Sequence, residues 1–223
     1  MSEAISKETR WFLAKEKVQP IITWFEGLNK PQYLSDDAIY PRKDFYLVMP
    51  EVENLGIKIR EPKKDAVSGK IKTALEVKRL ISENEELELR NNNKGYSNKW
   101  QKLSYELTEG GSDLLSVNSS LSSSGNNWLR VDKDRILAKY DAQHKTITEG
   151  NADLDESCGI ELTKIKINNS VFYSFGLEAI SKSGHKLDKN FSGCCSYIFD
   201  QINLTGLSPE SSLSYPEFLA KMI

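Results

Sequence analysis

Lysine, arginine and glutamate recur two residues apart in this chain, beside apolar residues of the opposite parity. Lys58 and Arg60 alternate with Ile57 and Ile59 in GIKIRE, and Glu76 and Lys78 alternate with Leu75 and Val77 in ALEVKRL. Successive side chains of a strand point to opposite faces, so each run gathers its charges on one side. In a single strand of an ordinary antiparallel sheet that side meets water. The run WLRVDKDRILAKYD is different. There Lys133 and Arg135 share a face with Leu129, Val131 and Leu137, while Arg130, Asp132, Asp134 and Ala138 share the other. Cations on an otherwise apolar face are badly placed for bulk solvent and point to an enclosed polar interior. Buried cations without partners are prohibitive. Interleaved carboxylates, such as Glu161 and Glu178 on the two strands of one hairpin, together with a bound polyanion would satisfy them. A closed or nearly closed barrel with a wet, charged lumen meets that demand and also removes free sheet edges.

The elements that must position these residues follow from periodicity. A first strand is predicted over Ile5–Leu13. A helix is predicted over Lys17–Leu28, where Val18, Ile21, Ile22 and Phe25 recur at helical spacing until Gly27 weakens it. Period-two runs predict strands at Asp44–Met49, Gly56–Glu61, Ala74–Leu80, Asn98–Tyr105, Trp128–Asp141, Gly159–Ile167 and Val171–Ile180. The last two flank Asn168-Asn169-Ser170, a hairpin signal. PKKDAVSGK and NNNKGYSN read as polar turns, and Ser104–Val117 as partly helical. Residues 112–127 include a serine-rich stretch, read as a loop excursion from one domain spanning 1–223 because the same strand grammar resumes beyond it. In the C-terminal third, Phe191, Cys194, Cys195, Ile198 and Phe199 predict a helix within Leu187–Leu204, and Pro209 is expected to open a last helix running to Met222.

Composition narrows the function. The 223 residues include 30 basic and 32 acidic side chains, a net charge of -2, which removes any bulk electrostatic argument for nucleic acid. Cys158, Cys194 and Cys195 have neither disulfide-framework nor zinc-site spacing and are expected as buried packing. His144 and His185 lie in polar, turn-like stretches and are expected to be solvated. Trp11, Trp24, Trp100 and Trp128 are expected in core and rim packing rather than as a base-stacking platform. No run approaches the ~20 apolar residues that span a bilayer, and MSEAISKETRWF lacks a signal-peptide core, so a cytoplasmic protein with no membrane partner is expected. Phosphate-loop, nucleophile-elbow and dinucleotide fingerprints are missing from the sequence.

The runs KDFYL, LGIKIRE, LEVKR, WQK, VDKDR, CGIELTKIKI and SFGLEA, in that order, with SYPEFL near the end, resemble the CYTH or triphosphate tunnel metalloenzyme superfamily. The resemblance spans roughly Lys7 to Leu219 and implies an α+β fold, an antiparallel eight-stranded tunnel barrel with flanking helices. It further implies that Lys58, Arg60, Lys78, Lys133 and Arg135 are phosphate ligands, with Lys102 and Lys139 as weaker additions. Glu76, Glu161 and Glu178 would be the acidic set holding Mg2+ or Mn2+. The family's N-terminal Glu-x-Glu-x-Lys strand falls on SKETRWFL. One register places Lys7, Thr9 and Trp11 at its positions, and a shift by one places Glu8, Arg10 and Phe12 there. Neither supplies two carboxylates. Two functions therefore stand side by side, with an adenylate-cyclase-like activity behind them. One is a metal-dependent hydrolase of triphosphate or another phosphorylated compound. The other is a non-catalytic binder of polyphosphate or nucleotide with a degenerate metal site. The catalytic residues stay unknown.

Overall fold

The structure, a computed structural model, describes residues 2–36, 39–64, 71–109 and 127–222. In chain order the strands are β1 (Ser2–Leu13), β2 (Arg42–Leu47), β3 (Leu55–Arg60), β4 (Lys63–Lys64), β5 (Ile71–Leu80), β6 (Glu85–Leu89), β7 (Asn93–Glu109), β8 (Trp128–Asp141), β9 (Thr146–Glu149), β10 (Glu156–Ile167) and β11 (Ser170–Ser181). The α-helices are α1 (Gln19–Glu26), α2 (Leu187–Gln201) and α3 (Tyr215–Ala220). Eight strands run in the order β5-β3-β2-β8-β10-β11-β1-β7, and β7 pairs back onto β5 to close the barrel. Every pairing is antiparallel. Short β4, β6 and β9 hang from β5, β7 and β8. This is the expected α+β barrel with flanking helices.

Strict alternation sorts the strands into an outer and an inner face. Outward residues of β1, β8, β10 and β11, such as Trp11, Ile136, Leu162 and Phe175, form the main core with Phe25 of α1 and Ile198 of α2. Each such side chain, when fully buried, contributes roughly 1.5–3 kcal/mol of apolar stabilisation. The hairpin between β10 and β11 turns at Asn168, whose φ of 52° lies in the left-handed region that Asn tolerates. Inside the barrel, one end holds a second apolar cluster. Val131, Ile165 and Ile167 meet Tyr46, Phe218 and Leu219 there, with Phe12 stacked on Phe218 at 3.7 Å. Helix α3 thus closes that end, and Pro216 lies within contact distance of where a side chain on Gly56 would project.

Three expectations are corrected. Residues Ser104 to Glu109 continue β7 rather than forming a helix, while 110–117 fall outside the described residues. The NNNKGYSN turn is largely strand, since β7 begins at Asn93 behind Asn91 and Asn92, which carry positive φ. The last helix starts at Tyr215, not Pro209, which opens only a short 3-10 turn to Ser211. The intervening residues are held extended: Leu213 donates its amide to the Arg10 carbonyl at 3.1 Å, and Ser212 bridges Trp11. Ser214 then caps α3, accepting from the Glu217 amide while Glu217 Oε2 accepts from the Ser214 amide at 2.6 Å. Apart from Asn127, the 112–127 stretch lies outside the described residues. The strands on either side of it, β7 and β8, both belong to the barrel.

Candidate functional site

Above the apolar plug the inward positions become charged on several strands at about the same level. On β8, Leu129 and Val131 give way to Lys133 and Arg135; on β10, Ile167 and Ile165 give way to Thr163 and Glu161; on β1, Phe12 gives way to Arg10 and Glu8. The resulting chamber has a cavity of about 160 Å3, roughly ten times the space one water needs. Eight cations line it: Arg10, Arg42, Lys58, Arg60, Lys78, Lys102, Lys133 and Arg135. Five carboxylates line it too, Glu8, Glu76, Glu161, Glu178 and Glu217, and buried Asp44 stands behind them. The chamber is therefore net positive inside a chain whose overall charge is -2.

Three ion-paired groups organise these charges. In the first, Glu161 accepts from Arg10 at 3.0 Å, from Arg135 at 3.0 Å and from Thr163 at 2.8 Å. Burial opposes its ionisation, but Arg10, Arg135 and Lys133 hold its carboxyl well below the usual range. Gly176, opposite Glu161 on β11, makes room for the Arg10 guanidinium, which a Cβ would meet at 2.9 Å. In the second, Glu76, 2% exposed, meets Lys58 at 2.8 Å, Lys102 at 3.4 Å, and Arg60. Burial raises its pKa and these three cations more than reverse that, to about 2. In the third, Lys78 reaches Glu8 at 2.8 and 3.1 Å and Glu178 at 3.0 Å.

The chamber floor is aromatic. Tyr46 of β2 and Tyr215 of α3 stack at 5.5 Å, and the Lys133 ammonium lies 3.9 Å from the Tyr215 ring centre and donates to Tyr46 at 2.6 Å. Lys133 is 4% exposed, and its nearest carboxylate, Asp44 at 3.5 Å, is already engaged by Arg42 at 2.9 Å. Burial, with Arg42 and Arg10 adding repulsion, brings Lys133 down to about 7. Here is a cation short of negative charge.

All eight residues expected as phosphate or metal ligands line this chamber. Their partners are the new information. The expected acidic set does not converge on one point. Glu76, Glu161 and Glu178 belong to three separate groups, each engaged by lysine or arginine, and no cluster of three or more His, Cys, Asp or Glu suited to a metal ion occurs among the described residues. The donor set as arranged does not fit one Mg2+ or Mn2+ held by these three side chains. Lys102 lines the chamber, whereas Lys139 donates to the Ala152 carbonyl. In β1 the shifted register is the inward one. Glu8, Arg10 and Phe12 face inside, while Trp11 is in the outer core and Lys7 is held against Glu85 and Asp188.

No family model matches the sequence, and no curated protein matches it. Among solved structures, the chain is similar to a "putative adenylate cyclase" from Bacillus halodurans, 10% identical, over 92% of this chain and 96% of that one, with a TM-score of 0.42. A likeness that weak carries no argument.

Arg42, Asp44, Tyr46 and Tyr215 were missed from the sequence. The first three alternate in RKDFYL as the other charged runs do, a signal hidden by the brevity of that strand. Tyr215 carries no such signal, because α3 reaches the lumen only after the chain has crossed the end of the barrel. The remaining expectations concern packing and exposure. The three cysteines are buried, burial raising each thiol, and both histidines are exposed. Trp11 and Trp100 are buried, Trp100 against the chamber. No helix among the described residues is long and apolar enough to cross a membrane.

Proposed function

We propose that this protein binds a linear polyphosphate, or the triphosphate of a nucleotide, in the charged chamber of its barrel. One observation carries the reading: eight cations from six strands converge on one chamber with fewer carboxylates than would neutralise them. An anion with several phosphate oxygens supplies the missing charge, taken up by arginine forks and lysine point charges. Lys133 favours it further, since a buried ammonium whose proton is loosely held gains most from an arriving anion. The strand motifs that resemble the triphosphate tunnel superfamily agree with this ligand class. Calorimetric titration of tripolyphosphate and of ATP tests the reading. Saturable binding that also raises the melting temperature is expected. Neither ligand giving heat nor a thermal shift at millimolar concentration would end it.

A second reading, metal-dependent hydrolysis of a triphosphate with Mg2+ or Mn2+, has a different observation in its favour. The β1–β11 register sets Glu8 directly opposite Glu178, which brings two carboxylates together on the lumen wall. Phosphate release from tripolyphosphate that requires Mg2+ or Mn2+ and stops with chelator would favour this reading over simple binding.

A further inference from the structure

The Glu8–Glu178 pair is an arrangement that a folded chain avoids unless something neutralises it. Like charges directly opposite across two strands repel, and this pair sits inside a barrel where solvent screening is reduced. The neutralising group is visible. Lys78 extends from β5, past β7, to β1 and β11, and its ammonium meets Glu8 Oε1, Glu8 Oε2 and Glu178 Oε1 at 2.8, 3.1 and 3.0 Å. An ammonium has three N–H donors. The two Glu8 oxygens share one of them and Glu178 takes another, so Lys78 is committed first to this carboxylate pair.

We propose that Lys78 is a tethered cation standing where a divalent metal would bridge Glu8 and Glu178, so that the chamber takes its polyanion without metal. This rests on the polyphosphate reading and departs from the expectation that Mg2+ or Mn2+ completes the site. A divalent ion entering here would have to expel an ammonium covalently held beside both carboxylates. It would also need further oxygen ligands from a wall whose other acids are engaged. Glu161 is occupied by Arg10 and Arg135, and Glu76 by Lys58, Arg60 and Lys102. The cations left to face the ligand, Arg60, Arg135 and Lys133 among them, are those not committed to the Glu8–Glu178 pair.

Two measurements on the full-length protein test this. Tripolyphosphate is titrated calorimetrically in EDTA and in excess Mg2+, and Mn2+ alone is titrated by electron paramagnetic resonance into wild type, Lys78→Met and the double variant Glu8→Gln/Lys78→Met. Wild type should bind tripolyphosphate in EDTA at least as tightly as in Mg2+ and show no saturable Mn2+ site. Lys78→Met should gain a saturable Mn2+ site and a melting temperature that rises with Mn2+, and the double variant should lose both. Wild-type affinity for tripolyphosphate more than about tenfold weaker in EDTA would overturn the proposal. Wild type binding Mn2+ as tightly as Lys78→Met would overturn it equally. Should Lys78→Met not fold, Lys78→Arg keeps the cation and must retain metal-free anion binding; loss of that binding until Mg2+ is added counts against Lys78. Absence of tripolyphosphate binding under every condition removes the polyphosphate reading, while the Mn2+ comparison still decides the role of Lys78.

Discussion

The two storeys of the barrel interior are built from the same strands with the same alternation, yet they behave oppositely. Below, Val131, Ile165 and Phe12 close on Phe218 of α3 and exclude water. Above, one or two inward positions further along the same strands, Lys133, Glu161 and Arg10 crowd charges into a small cavity. Alternation decides only that a side chain points inward. What the interior does there depends on residue type at the next position of like parity. The lower storey stabilises the closed barrel, and that stability allows the upper one to hold a surplus of cations that on its own would disfavour folding.

The comparison can be broken most forcefully from below. Phe218→Ala removes a ring stacked on Phe12 at 3.7 Å and edge-on to Phe172 at 5.3 Å, and should destabilise the fold by about 3–5 kcal/mol in urea unfolding. Tripolyphosphate affinity of the folded fraction should stay as it was. A variant of wild-type stability would mean that α3 is not part of the core. From above, Arg135→Ala should do the reverse, leaving stability nearly unchanged because Glu161 keeps Arg10, while weakening tripolyphosphate binding by about 2 kcal/mol or more. Equal affinity by calorimetry would take Arg135 out of the site.

Glu161→Gln sharpens the contrast with a gain of function. It removes the carboxylate that competes with the ligand for Arg10 and Arg135, so binding should tighten by about 1 kcal/mol while stability falls by about 1–3 kcal/mol. Looser binding would mean that Glu161 orients the arginines rather than occupying them. The smallest effect is on pH. Lys133 loses its proton at about 7 in the fold against 10.5 when unperturbed. Between those values the unfolded chain holds more protons, so this group makes ligand-free stability rise with pH from about 7 to 10.5 and leaves it flat below. Anion affinity should fall over the same window. Lys133→Met should flatten its share of both trends in melting curves and titrations, and an unaltered pH profile would show that Lys133 does not titrate there.

Much of this was legible in the sequence, and the limits have physical causes. β8 runs from Trp128 to Asp141 as predicted, and its inward face is the one on which Lys133 and Arg135 share sides with Leu129 and Val131. That assignment needs only period-two geometry and the oddity of cations among apolar residues. The β1 register was ambiguous because both of its faces mix polar and aromatic residues. The decision comes from outside the strand: Trp11 fits over Gly95 with its indole donating to the Lys94 carbonyl at 2.8 Å, and Lys7 is held by Asp188 of α2. β6 escaped notice because EELEL is a short, mostly exposed edge, and β9 because it is only four residues long. Partner choice was beyond local sequence altogether. Lys58 and Arg60 reach Glu76 once β3 pairs with β5, but Lys102 reaches Glu76, and Lys78 reaches Glu8 and Glu178, only when β5 closes on β7.

The most direct measurement is a crystal structure of the protein soaked with tripolyphosphate in the presence of EDTA. The phosphate chain should lie inside the barrel within hydrogen-bond distance of Arg135, Arg60 and Lys133, above the Tyr46–Tyr215 floor, with Lys78 still between Glu8 and Glu178. Density for the ligand on the outer surface alone, with water in the chamber and the Glu161 and Glu76 ion pairs undisturbed, would contradict the claim that this interior is an anion site.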